Sequence, residues 1–200
     1  MKPPIDFYFD FSSPYGYLAA QKIEALAAKH GRAVNWRPML LGVAFKATGM
    51  APLPQLPLKG PYAMRDFVRS ARFLGIPYRQ PSVFPISTLS AARAFYWLQA
   101  QDPKKAVELA KALYRAYFAD GVDISKPENV AKVAQGLGID PAGLAAALND
   151  AAVKDRTRQE VDAAVARGVF GSPYIVVDGE PFWGVDRFEQ IERWLAQGPF

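Results

Sequence analysis

The sequence predicts an α/β fold in which a long, all-helical insertion splits a small sheet. A strand–helix–strand unit opens the chain, and a helix, a two-stranded hairpin and a last helix close it. Helical patterns alone fill the region between these two ends. Because the strands of a small domain share one sheet, the two ends of the chain should meet there.

The opening unit is defined by its periodicity and its turn residues. Residues 5–11 (IDFYFDF) alternate in character and are rich in aromatic side chains, which is typical of a buried strand. Residues 17–29 have helical spacing, and residues 33–38 form a second strand that ends at a proline. Together they predict a βαβ start.

The insertion begins with a short helix and a proline-rich loop at residues 51–61. The helices predicted after this loop cover residues 62–74, 88–101, 103–119, 127–137, 141–149 and 152–167. Short strands at 174–177 and 181–183 then flank a turn at 178–180, and a helix at 187–196 closes the chain.

This order of elements is that of a thioredoxin-like sheet split by a helical insertion. We therefore predict a discontinuous thioredoxin-like domain made of residues 1–40 and 152–200, and a helical insertion domain at residues 41–151. Ser13 and the turn at 171–173 should then lie side by side although they are far apart in the sequence.

The composition excludes several kinds of chemistry. None of the 200 residues is a cysteine, so disulfide exchange, catalysis by a protein thiolate and cysteine-ligated metal sites are impossible. The single histidine, His30, lies where a helix should end at a glycine, a place that favours a partly positive imidazole. We predict neither a Ser-His-Asp triad nor a metal site.

The net charge of +5 is dispersed along the chain, without a basic run or an aromatic nucleic-acid motif. This charge favours small anionic ligands over nucleic acid. No hydrophobic leader precedes the first strand, and no apolar run approaches the length that spans a membrane. We expect a cytoplasmic protein that does not bind membranes.

The most informative motif is Ser13-Pro14-Tyr15-Gly16, at the junction of the first strand and the first helix. Ser13 should cap that helix, with Pro14 at its first position. An anion is stabilised there by free amides and the helix dipole, and the serine hydroxyl can donate to it. A thioredoxin-like redox enzyme carries the first cysteine of Cys-x-x-Cys at this place. The site can hold a thiolate but cannot supply one; alternatively, Ser13 is only a cap.

Two further motifs should face this site. A cis Ser172-Pro173 bond would expose the main chain of Ser172 to a peptide ligand, whereas an ordinary trans proline is the alternative. Asp186 and the amides of Val185 and Asp186 match an α-amino-acid group, although Asp186 is alternatively the N-cap of the last helix. A thiolate at Ser13, a cysteinyl backbone at Ser172 and a γ-glutamyl group at Asp186 together describe glutathione.

A family resemblance extends over nearly the whole chain. It is carried by DFYFDFSSP at 6–14, FKATG at 45–49, FPISTL at 84–89, FGSP at 170–173 and WGVDR at 183–187. Together these segments resemble the 2-hydroxychromene-2-carboxylate isomerases, relatives of kappa-class glutathione transferases within the DsbA-like fold. The resemblance implies a glutathione-dependent isomerase of naphthalene-type aromatic catabolism, which acts on a small anionic aromatic substrate and is often a homodimer.

The resemblance also implies roles for individual residues. Ser13 matches the catalytic serine of the family, Lys46 matches a position that meets the substrate, and Lys59 resembles the kappa-class lysine near the glycyl end of glutathione. For Lys46 and Lys59, an ordinary solvated lysine is the alternative.

Three positions depart from the family pattern, and two other functions stay open. Met50 and Ser87 stand where asparagine is common, and Ser70 stands where tryptophan is usual. These changes bear on the substrate and on part of the glutathione contacts. A kappa-like glutathione transferase or peroxidase would consume glutathione, and a non-catalytic thioredoxin-fold binding module would not bind it.

Overall fold

The computed structural model describes residues 2–200 and places four strands in one mixed sheet. The strands are β1 (Ile5–Phe9), β2 (Val34–Pro38), β3 (Tyr174–Val177) and β4 (Glu180–Trp183). They are arranged in the order β2-β1-β3-β4, with β1 parallel to β2 and antiparallel to β3. Strands from the two ends of the chain therefore pair at the centre of the sheet, and the predicted α/β fold is confirmed.

The described residues form ten α-helices, seven of which lie between β2 and β3. The helices are α1 (Pro14–Ala20), α2 (Ile23–Lys29), α3 (Leu41–Thr48), α4 (Lys59–Phe73), α5 (Leu89–Gln99), α6 (Pro103–Phe118), α7 (Pro127–Gln135), α8 (Pro141–Asn149), α9 (Ala151–Ala166) and α10 (Phe188–Gln197). Short 3₁₀ turns occupy Leu53–Gln55 and Val185–Arg187. None of the helices within residues 2–200 is long and apolar enough to cross a membrane.

The first strand is shorter than predicted. β1 ends at Phe9 instead of residue 11, because the chain turns at Asp10. The N–H of Ser12 donates to the Asp10 carboxylate at 2.7 Å, and the N–H of Ser13 donates to the Asp10 carbonyl at 2.8 Å. This turn directs the chain from the sheet into α1.

The single helix predicted at residues 17–29 was wrong, because the structure has two helices there. The N–H of Lys22 donates to the Ala19 carbonyl, three residues back, at 2.9 Å. Such a tighter turn interrupts the helical hydrogen-bond ladder. The apolar spacing continues across the break, which is why the pattern did not reveal it. His30 is the C-cap of α2, at the helix end where it was predicted.

The core is largely aromatic and is shared by the sheet and the helices. Phe9 of β1 contacts Trp36 of β2 at a ring-centroid distance of 5.4 Å. The same ring meets Phe95 of α5 at 6.1 Å and Tyr114 of α6 at 5.6 Å. One continuous core therefore joins the sheet to the inserted helices. The predicted domain boundaries after residues 40 and 151 stay a prediction.

Candidate active site at the start of the first helix

Ser13 is the N-cap of α1, as predicted from the sequence. Its backbone is extended, with φ −95° and ψ 115°, and Pro14 occupies the first helical turn. The Ser13 hydroxyl oxygen accepts a hydrogen bond from the Gly16 N–H at 3.0 Å. Only 5% of Ser13 is exposed to solvent. The hydroxyl is therefore a buried group with a defined orientation.

Ser13 and the Ser172-Pro173 motif meet, although 159 residues separate them. The Ser13 hydroxyl donates to the Ser172 carbonyl at 2.8 Å, and the Ser172-Pro173 bond is cis, which confirms the cis alternative. The Ser172 hydroxyl in turn accepts from the Asp10 N–H at 2.9 Å. Among residues 2–200 the Ser172 N–H has no hydrogen-bond partner, so it is a main-chain group at this turn that can donate to a ligand.

Asp10 lies at the centre of this region, and the sequence interpretation missed it. One carboxylate oxygen accepts from the Ser12 N–H at 2.7 Å and from the Thr88 hydroxyl at 2.9 Å. The other oxygen accepts from the Leu41 N–H at 2.6 Å. Burial raises the pKa of Asp10, and the three hydrogen bonds oppose that shift. A polar residue inside an aromatic strand pattern, with Ser12 two positions later, was the available signal.

Tyr114 completes this buried group of side chains. Its hydroxyl donates to the Asp10 carbonyl at 2.9 Å, and it lies beside the Ser172 hydroxyl. Burial raises the pKa of Tyr114 well above its usual value. The phenol therefore stays protonated near neutral pH and acts as a hydrogen-bond donor, not as a base.

Asp186 lies in the 3₁₀ turn before α10, and this turn packs against α1. Its carboxylate accepts from the Arg187 guanidinium at 2.7 Å, and its side chain is 67% exposed. The alternative role as N-cap of the last helix was wrong, because α10 has Arg187 at that position and no side-chain cap. The Asp186 carboxylate is accessible at the surface beside the first turn of α1.

Tyr15 connects the start of α1 to α4. Its hydroxyl donates to Asp66 at 2.5 Å, and its ring contacts Phe67 at a centroid distance of 5.0 Å. Burial and the Asp66 hydrogen bond raise the pKa of Tyr15, with a smaller contribution from the charge of Asp186. Tyr15 therefore hydrogen-bonds to the carboxylate on α4 and also feels the charge of the carboxylate in the turn before α10.

Asp66 is the second acidic group that the sequence interpretation missed. Partial burial opposes its ionisation, but hydrogen bonds from Tyr15, Arg69 and Ser70 outweigh burial and lower the pKa. The Ser70 hydroxyl donates to Asp66 at 3.2 Å. Ser70, one of the positions that depart from the family pattern, therefore contributes to this acidic group.

The two lysines singled out in the sequence lie on the surface. Lys46 is exposed in the last turn of α3, and Lys59 is exposed at the first residue of α4. Within residues 2–200, neither makes an ion pair. Lys59 shares α4 with Asp66, whereas Lys46 lies on α3. In the part of the chain that the structure describes, no cluster of three or more His, Asp or Glu side chains is placed to hold a metal ion.

Comparison with known proteins agrees with this geometry. The protein-family model that describes the DSBA-like thioredoxin domain matches residues 4–196. The chain belongs to this family, whose fold combines a thioredoxin-like sheet with inserted helices.

Within that family, the resemblance to the 2-hydroxychromene-2-carboxylate isomerases and the kappa-class glutathione transferases is confirmed. A 2-hydroxychromene-2-carboxylate isomerase of Sphingobium xenophagum is 30% identical over 98% of this chain and 99% of its own length. Glutathione S-transferase kappa 2 of Caenorhabditis elegans is 27% identical over 98% of this chain and 92% of its own. A solved 2-hydroxychromene-2-carboxylate isomerase structure superimposes with a TM-score of 0.85 at 29% identity, covering 96% of this chain and 94% of that chain. The relatives are enzymes, and the chain is an enzyme of this family.

Gly16 gives a test of the buried contacts. A Cβ atom at Gly16 would lie 2.6 Å from both the Ser172 and the Tyr114 hydroxyl oxygens. Both hydroxyls are held by hydrogen bonds to the backbone of Asp10, so Gly16→Ala should break at least one of these bonds. We expect the free energy of unfolding to fall by about 1–3 kcal/mol in urea titrations.

Gly42 in α3 is the matched control, since a Cβ atom there would meet nothing within 4 Å. Gly42→Ala should leave stability unchanged or raise it by up to about 1 kcal/mol through helix propensity. Equal effects of the two substitutions would contradict the close packing around Gly16.

Proposed function

We propose that the protein is a glutathione-dependent isomerase. It would interconvert 2-hydroxychromene-2-carboxylate-type substrates and trans-o-hydroxybenzylidenepyruvate-type products in aromatic, naphthalene-like catabolism. The observation that carries the proposal is the pairing of Ser13 with the cis Ser172-Pro173 turn in a chain without cysteine. A thiol used at this place has to come from a ligand.

The groups around Ser13 suit the parts of a glutathione molecule. The unpartnered Ser172 N–H, beside Pro173, can donate to the cysteinyl carbonyl of an extended peptide. The exposed Asp186 carboxylate can bind the γ-glutamyl ammonium, and the amides of Val185 and Asp186 can donate to its carboxylate. Arg187, already paired with Asp186, adds a second group that can bind that carboxylate.

Lys59 suits the glycyl carboxylate at the other end of the ligand. Lys59 and Asp66 are seven residues apart on α4, which corresponds to two turns, the same helix face and about 10 Å along the axis. Asp66 meets the first turn of α1 through Tyr15. A tripeptide bound along this face has a length of about 10 Å, so one end can lie near Tyr15 while the other reaches Lys59.

The residues of the chain define the conditions for the chemistry. When bound, glutathione would supply a thiolate that adds reversibly to the conjugated ring, so that the opened chain can rotate before the thiolate leaves. The Ser13 hydroxyl would turn its hydrogen from the Ser172 carbonyl to the sulfur while it still accepts from the Gly16 N–H. Lys46 would hold the substrate carboxylate as charge develops.

A kappa-like glutathione transferase or peroxidase is the second candidate, because a kappa-class relative covers as much of this chain as the isomerase does. It would use the same thiolate site and consume the thiol. The third interpretation of the sequence, a binding module without catalysis, disagrees with the enzyme relatives, and measurable glutathione affinity would exclude it directly. A homodimer, a cytoplasmic location and the absence of nucleic-acid and membrane partners stay predictions.

The first test concerns Ser13. Ser13→Ala removes the donor to the sulfur, and one hydrogen bond to a charged group contributes about 1.5–3 kcal/mol. The pKa of bound glutathione, measured from thiolate ultraviolet absorbance, should therefore rise by about 1–2 pH units. Turnover should fall more than glutathione affinity, and the pH at which activity appears should rise by the same amount.

Ser13→Ala also removes a helix cap, so a control cap is needed. Asp102 caps α6 by accepting from the Lys105 N–H at 3.0 Å, far along the chain from the candidate site. Asp102→Ala should lower stability without changing the bound-thiol pKa. An unchanged pKa and full activity in Ser13→Ala would reduce Ser13 to a cap.

The second test concerns the γ-glutamyl end. Asp186→Ala should weaken glutathione binding by about three- to tenfold in calorimetry, with little effect on turnover at saturating glutathione, because the contact is far from the reacting atoms. Glu189→Ala, which removes an exposed carboxylate in the first turn of α10, should leave binding unchanged. Wild-type affinity in Asp186→Ala would contradict the γ-glutamyl assignment.

The third test separates the candidate functions. An isomerase returns glutathione unchanged, so the amount of hydroxychromene carboxylate converted should exceed the glutathione present by many turnovers, with free thiol constant by titration. Stoichiometric loss of thiol would favour the transferase or peroxidase. If the protein acts only on other aryl substrates, the isomerase assignment is wrong and the glutathione site still stands. The departures from the family pattern at Met50, Ser70 and Ser87 would then account for the different substrate.

A further inference from the structure

The buried carboxylate of Asp10 is the most constrained group near the candidate site that the proposed reaction does not use. Asp10 is 4% exposed, and three donors surround its two oxygens. Among the described residues no lysine, arginine or histidine forms an ion pair with it. Hydrogen bonds are therefore the polar interactions that the described residues offer this side chain, and they hold each donor in return.

The donors belong to separate parts of the chain. The Ser12 N–H is adjacent to Ser13, and the Thr88 hydroxyl lies at the start of α5. The Leu41 N–H, at 2.6 Å, belongs to the first residue of α3. One carboxylate thus joins the turn that carries Ser13 to the helix that carries Lys46.

α3 has few other interactions that stabilise it, so it depends strongly on this contact. It has eight residues, its N-cap residue Leu40 provides no side-chain hydrogen bond, and only Ala44 of the helix is buried. A short helix with little buried surface is marginal without a cap. The Asp10 carboxylate acts as that cap from outside the helix.

We propose that Asp10 is a positioning residue that fixes α3, and with it Lys46, relative to Ser13. The inference rests on the proposed function, because Lys46 is assigned there to the substrate carboxylate. The proposed glutathione contacts lie on α1, α4, the Ser172-Pro173 turn and the turn before α10, and none of these hydrogen-bonds to the Asp10 side chain. The Asp10 side chain should therefore act on substrate use and leave glutathione binding nearly unchanged.

The main experiment is a double-mutant cycle between Asp10 and Lys46. Asp10→Asn keeps the shape but replaces one acceptor oxygen with an amide donor, which in either orientation faces a backbone N–H, that of Ser12 or that of Leu41. At saturating glutathione, kcat/KM for the hydroxychromene carboxylate should fall by about tenfold or more, while the calorimetric Kd for glutathione changes by less than about twofold.

In a Lys46→Ala background, Asp10→Asn should cause little further loss of kcat/KM, because the lysine that it positions is gone. The proposal would be overturned if Asp10→Asn lowered kcat/KM by the same factor in Lys46→Ala as in the wild type. It would also be overturned if the glutathione Kd rose as much as kcat/KM fell. Asp140→Asn is the control, since Asp140 caps α8 through two backbone amides away from the site; its kcat/KM should equal that of the wild type.

Amide hydrogen exchange gives a readout that does not depend on activity. Asp10→Asn should speed exchange in residues 41–48 more than in α1. Thr88→Val removes one donor to the carboxylate and is the milder variant if Asp10→Asn does not fold. It should also speed exchange in residues 41–48 more than in α1, but by a smaller factor.

The exchange result also separates the two proposals. If the wild-type protein has no isomerase activity, the proposed function is wrong. Faster exchange confined to residues 41–48 in Asp10→Asn would still show that Asp10 stabilises α3. An active wild type with unchanged exchange in residues 41–48 of the variants would overturn the role of Asp10.

Discussion

The hydrogen bond from the Ser13 hydroxyl to the Ser172 carbonyl joins segments 159 residues apart, and the candidate site depends on it. It exists because the two ends of the chain share one sheet, where β1 pairs with β3. The Asp10 N–H makes a second link by donating to the Ser172 hydroxyl. The cis turn is thus held to the start of α1 by its main chain and by its side chain.

These polar contacts lie inside an aromatic core, which raises the energetic cost of breaking them. Phe11, fully buried, packs against Tyr114 at a centroid distance of 5.3 Å, and Tyr114 donates to Asp10. A buried polar group that loses its partner costs about 1–3 kcal/mol, and water cannot replace the partner in such surroundings. Each member of the group therefore constrains the others, and Ser13 has few alternative orientations until a ligand offers its hydroxyl an acceptor.

Local patterns predicted most of the fold and only part of the site. The Ser13 cap follows from residue types at an element boundary, and the cis Ser172-Pro173 bond follows from its expected place opposite Ser13; the structure confirms both. The positions of Asp10 and Asp66 could not be predicted, because their partners, such as Leu41 for Asp10 and Tyr15 for Asp66, are distant in sequence. Spacing reveals which face of an element is buried, but it does not reveal which polar groups meet across elements.

The geometry around Ser13 does not distinguish isomerase from transferase chemistry. Isomerase and kappa-class relatives align with this chain over the same extent, and a buried serine hydroxyl would stabilise a bound thiolate equally for either reaction. The groups that differ from the family pattern lie on the inserted helices and loops: Ser70 donates to Asp66, while Met50 is 46% exposed beyond the end of α3. Because α3 starts at the Asp10 carboxylate, the helix that carries Lys46 is held by the same buried group that supports Ser13.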